Sequence, residues 1–180
     1  MEIPIRFKLF LYWKSMFNDR PKTPQIKISK QGKGVKSILF FLPEKREDAK
    51  VANYLVKSDN PLTGYTIGYV CNELSKPYYP DINHVKYITF SDNDLNYFGT
   101  IKSEALLDKI KSIQYDALVD LNTRFCAATS MLAYDLQIPV KIGFNSLIAN
   151  KIYTITLERN NNTFLENNFQ LIERILGLKI

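Results

Sequence analysis

The chain has 180 residues, 46% of them hydrophobic and 23% charged, with a formal net charge of +6. That length suits one domain with a sizeable core, and no apolar run approaches the roughly 18 residues that a membrane span needs. The single histidine, His84, excludes a multi-histidine zinc site and a His-based triad with a spare histidine.

The charge is unevenly placed. Residues 1–36 carry nine Lys/Arg against Glu2 and Asp19, a balance of +7, which leaves 15 basic and 16 acidic groups, or −1, on residues 37–180. The basic character belongs to an N-terminal arm and not to the domain. Two cysteines, Cys71 and Cys126, without a secretory signal fit reduced thiols in the cytoplasm. No metal-ligand spacing occurs, and no cofactor is expected.

Residues 1–36 form the arm and linker, and residues 37–180 a single domain. Within 1–20 a helix follows Pro4, with Phe7, Phe10, Leu11, Lys14 and Phe17 at helical spacing and Leu9, Tyr12, Trp13 and Met16 widening the apolar side. Two uses compete: docking on the domain, a second copy or a partner protein, or lying on an anionic membrane with Trp/Phe/Leu inward and Lys/Arg at the headgroups. The second would put the protein at the inner face of the membrane. Nucleic-acid binding is the weakest alternative, because the domain itself is not basic. Pro21, Pro24, Gly32 and Gly34 mark residues 21–36 as a linker, with a short edge strand at 26–28.

In the domain, Ser37–Leu42 is a continuous apolar run, suited to the centre of a parallel sheet. Glu44–Val56 reads as a helix, Tyr65–Cys71 and Val85–Phe90 as strands, and Ser103–Ile113 as a helix behind a Ser cap. Asp116–Leu121, Phe125–Leu136 and Val140–Gly143 make a strand–helix–strand unit whose helix has a small-residue face. Ile152–Leu157 is a sixth strand, and the capping box Thr163–Glu166 opens a helix that ends at Gly177. This order predicts an α/β, Rossmann-like open, mostly parallel sheet of about six strands with helices on both faces, plus the amphipathic arm.

Functional loops of such sheets follow the carboxyl ends of the strands. After the first strand, Glu44 is a candidate base, with Lys45 and Arg46 as anion anchors; a solvated helix start is the bland alternative. No glycine is present there to let a backbone approach a pyrophosphate. In Ser91–Gly99, Asp92 and Asp94 are further candidate acids, and Asn93, Asn96 and Tyr97 candidate sugar or phosphosugar ligands, set against a plain capping loop. Asn122 and Arg124, in the turn before the small-faced helix, are further candidate ligand-binding residues. Cys126, at a helix start near Arg124, has features that lower a thiol pKa, yet its neighbours Phe125 and Ala127 favour a packed residue. His84 reads as a surface imidazole.

The segment YDALVDLN…SMLAYDLQIPVKIGF, through Tyr115-Asp116, Val119-Asp120-Leu121 and Lys141-Ile142-Gly143-Phe144, resembles the N-terminal, acceptor-side half of heptosyltransferase-like (family 9, GT-B fold) glycosyltransferases. Phe164–Leu178 is similar to the family's helix before the interdomain linker. The resemblance implies a Gly-Asp motif after the first strand, whose aspartate is the expected general base; Pro43-Glu44-Lys45-Arg46 stands there instead. With the chain ending at Ile180, the family's donor-binding second domain is expected to be missing. The function expected is therefore a stand-alone, non-catalytic binding or interaction module. The alternative is a divergent glycosyltransferase half that works with a partner supplying the donor domain.

Overall fold

The computed structural model describes residues 3–17, 35–53, 55–56, 65–82, 86–158 and 165–178. The apolar run following the linker forms β1 (Ser37–Phe41) at the middle of a six-stranded sheet. β2 (Thr66–Asn72) and β3 (Lys86–Phe90) lie to one side of it, and β4 (Ala117–Asp120), β5 (Val140–Phe144) and β6 (Ile155–Leu157) to the other. The order is β3-β2-β1-β4-β5-β6 and every pairing is parallel. This is the doubly wound arrangement, whose order reverses between β1 and β4.

Both faces of the sheet are covered, which explains the unbroken apolar strands. Leu39, Phe41 and Leu118 point to one core, shared with α1 (Ile5–Phe17), α3 (Glu104–Lys111), α4 (Ala127–Asp135) and α5 (Ala149–Ile152). Ile38, Phe40 and Val119 point to the other, shared with α2 (Arg46–Ala52) and α6 (Leu165–Leu176). α6 ends as its sequence predicts: Gly177 takes φ 68°, and the Leu178 N–H returns to the Glu173 carbonyl at 2.9 Å. Among the described residues no helix is long and apolar enough to cross a membrane.

The structure differs from the sequence expectation between β5 and β6. Ile152 is the last residue of α5, and β6 begins only at Ile155. The β-branched alternation that suggested a strand from Ile152 instead spans a helix end, a bend and a three-residue edge strand. Thr154 fixes the bend, its hydroxyl accepting the Lys141 N–H at 2.8 Å and donating to the Lys141 carbonyl at 2.9 Å. The expected edge strand at 26–28, His84 and the capping residue Thr163 lie outside the described residues.

The bend lays the Tyr153 ring against Gly143 of β5. A methyl group at Gly143 would meet that ring at 2.5–2.7 Å, inside any tolerable contact. Gly143→Ala is therefore expected to push Tyr153 off the sheet and destabilise the fold by about 1–3 kcal/mol. Urea denaturation of the variant beside the parent protein measures this.

A polar crevice at the carboxyl ends of β4 and β5

Asp120, the last residue of β4, is buried at 2% exposure. Three donors converge on its carboxylate. Tyr153 Oη donates to Oδ2 at 2.7 Å, and the Asn122 N–H and Nδ2 donate to Oδ1 at 3.0 and 2.8 Å. Removal from water nonetheless dominates, and the Asp120 pKa lies above its ordinary value despite these bonds. Burial likewise pushes the Tyr153 phenol well up, with the Asp120 charge acting in the same direction.

Around this pair lies a shallow crevice that opens to solvent, with a cavity volume of about 20 Å³. Its walls come from Asn122–Phe125 after β4, Phe144–Ser146 at the end of β5, and Ser130 of α4. Arg124 is exposed on its rim, and α4 begins beside it with Cys126 as N-cap. The first-turn N–H groups of a helix and a guanidinium both favour an anion. The β1 side is tied in by the buried Asp48, which accepts a short hydrogen bond from Thr123 Oγ1.

The predicted residues separate into two groups. Glu44 is exposed after β1, where its Oε1 accepts from Asn72 Nδ2 at 3.2 Å and sits 3.9 Å from Cys126 Sγ. Glu44, Asn122 and Arg124 thus stand on the loops around the switch point between β1 and β4. Lys45 pairs with Glu47 at 2.9 Å, and Arg46 is exposed at the start of α2. Cys126 follows the packed reading: burial, and next the Glu44 carboxylate, raise its thiol to about 11.

The 91–99 loop is engaged with itself and with α1. Asp94 accepts the Ser91 N–H at 2.9 Å and the Ser91 hydroxyl at 3.0 Å, and these bonds hold its carboxyl below the usual range. The Asn96 side-chain Oδ1 accepts the Phe98 and Thr100 N–H groups, and its Nδ2 donates to Thr100 Oγ1 at 2.8 Å. Asp92 and Asn93 are exposed. Tyr97 is exposed under the Arg6 guanidinium, 5.3 Å from its ring centre, and Phe98 stacks on Phe10 at 4.8 Å.

Sequence reasoning missed Asp48, Asp120, Thr123, Ser130, Asn145, Ser146 and Tyr153 as site residues. One signal was available: an aspartate closing an otherwise apolar strand, at the end where doubly wound sheets place their sites.

A family model described as a family of unknown function, DUF6913, matches residues 12–175. No curated protein matches the sequence. Among solved structures, the glycosyl transferase family 9 protein of Veillonella parvula DSM 2008 superposes with a TM-score of 0.55 at 15% identity, over 80% of this chain and 42% of that one. The E. coli heptosyltransferase WaaC, solved with ADP, superposes with a TM-score of 0.51 at 16% identity, over 79% of this chain and 48% of that one. The chain spans less than half the length of either protein. At these identities the likeness is one of fold, and at that level it agrees with the resemblance carried by Tyr115–Phe144.

Asp116, just before β4, and Asp120, at its end, should shape stability with opposite signs. Asp120, raised in the folded state, contributes fully below its unfolded pKa, and the contribution is lost as pH rises through the folded pKa. Asp116 is partly desolvated, which raises it, but the Lys36 and Ser37 N–H groups at 2.8 and 2.9 Å outweigh this and lower its pKa; its contribution is lost as pH falls. Denaturation at a series of pH values should therefore show Asp120→Asn gaining on the parent protein from about pH 4 upward. Asp116→Asn should lose its deficit towards acid.

Proposed function

The chain belongs to the DUF6913 family, and we propose that it is a binding module for a small phosphorylated sugar, held in the crevice beside Asp120, that transfers no group on its own. The observation that carries this reading is an open polar crevice at the strand ends, with Arg124 among its lining residues over the hydrogen-bonded Asp120, Asn122 and Tyr153. Arg124 would hold the phosphate. Asn145 and Ser146 are placed to meet hydroxyls.

The same geometry speaks against a catalyst complete in itself. Asp120 is sealed under Tyr153 and Asn122, and the Cys126 thiol is held protonated at neutral pH by its surroundings. A second reading is favoured by one residue. Glu44 is exposed after β1 and faces Cys126 and Asn72, where an acceptor hydroxyl could reach it. In that reading the chain is a divergent half of a glycosyltransferase, and a partner supplies the donor-binding domain.

Thermal shift and titration calorimetry with hexose and heptose phosphates, nucleotide-sugars and nucleotides separate these readings. Binding at about 100 times Kd should stabilise the protein by about 2.7 kcal/mol. Arg124→Ala should cost about 1.5–3 kcal/mol of that affinity, as loss of a charged hydrogen bond does. Folded protein that ignores every compound at millimolar concentration would contradict the binding reading. A nucleotide-sugar turned over with a partner present, and turnover lost in Glu44→Gln, would favour the enzyme half.

A further inference from the structure

α1 is apolar on two opposite sides, and among the described residues one of them is buried against the domain while the other is largely exposed. On the covered side Phe7 and Leu11 are buried; Phe7 meets Phe125 edge-on at 4.7 Å, Phe10 stacks on Phe98, and Lys14 pairs with Asp135 on α4. On the other side Ile5, Leu9, Tyr12, Trp13 and Met16 are each 60–75% exposed. At 3.6 residues per turn these five side chains fall within an arc of about 100°, a stripe as wide as the one a surface helix normally buries. The exposed Arg6 and Lys8 lie along its two edges, and Tyr97, 78% exposed beneath Arg6, extends it onto the domain.

We propose that this outer face of α1 docks in the plane of an anionic lipid bilayer, independently of what the crevice binds. Charge selects this occupant over a second copy of the chain. α1 contains no acidic residue, and residues 1–36 carry +7 by sequence. Two copies meeting through this face would bring like charges together, whereas anionic headgroups complement Arg6 and Lys8. Apolar and aromatic side chains along a helix flanked by Lys and Arg match an interfacial helix, with the cationic heads reaching the headgroups. A 13-residue helix is about 20 Å long, too short to span a hydrocarbon core of about 30 Å and long enough to lie along it.

Trp13, the single tryptophan, reports directly on the event. The full chain is mixed with vesicles of phosphatidylcholine alone or of phosphatidylcholine with phosphatidylglycerol, and Trp13 emission and vesicle flotation are recorded at low and high salt. The expected result is a blue shift and co-flotation with the anionic vesicles only, weakened by salt. Arg6→Glu with Lys8→Glu, or Ile5→Ser with Leu9→Ser, should weaken partitioning by about tenfold or more with melting temperature unchanged, because all four positions are exposed. The proposal is overturned if folded protein neither shifts nor floats with anionic vesicles. It is equally overturned if the serine variant abolishes a concentration-dependent dimer while vesicles are ignored, or if binding is indifferent to lipid charge.

Discussion

Asp120 closes β4 in a place with almost no water, and much of the crevice is arranged around that constraint. A carboxylate removed from solvent must be hydrogen-bonded, neutral, or both. Here Tyr153 and Asn122 converge on it, and its pKa moves up. Meeting the first requirement explains three features of the backbone. β5 carries Gly143 so that the Tyr153 ring can lie against it; the chain bends at Thr154 to deliver that ring; and the turn after β4 folds back so that Asn122 reaches the strand end. The crevice walls follow from the same turn, since Asn122–Phe125 form one side and lead directly into α4.

The sheet was legible because its signals are local. Ser37–Phe41 is apolar at every position from Ile38 onward, and those side chains are buried on both faces of β1. Gly177 marks a helix end with the one residue type that takes φ 68° without strain. α5 was not legible, because four residues give no room for a helical period, and Ile152–Leu157 alternates as a strand would. The crevice was legible only in part. Thr123 and Asp48 are 75 residues apart and Tyr153 and Asp120 are 33 apart, so their meeting depends on strand order rather than on spacing. In the 91–99 loop the difficulty was different. Asp94 and Asn96 hydrogen-bond their own backbone, and Asx-type bracing uses the same residue types as ligand binding.

The N-terminal helix connects the two halves of the account. Its inner side packs on Phe98 and Phe125, residues of the loops after β3 and β4, so α1 sits beside the carboxyl ends of the strands. An arm that reads in sequence as a basic appendage is, over Ile5–Phe17, part of one hydrophobic core with α3 and α4. Its opposite side keeps large apolar groups in solvent, which an ordinary surface helix does not do. One helix thus contributes to folding with one face and exposes large apolar side chains on the other.

The central claim is that the crevice beside Asp120 receives an anionic sugar, and an amide NMR titration with a sugar phosphate tests it most directly. The account predicts saturable shifts concentrated at residues 122–127, 145 and 146, with the 91–99 loop largely unmoved. Saturable shifts centred on another surface, or none at millimolar ligand with the protein folded, would contradict it.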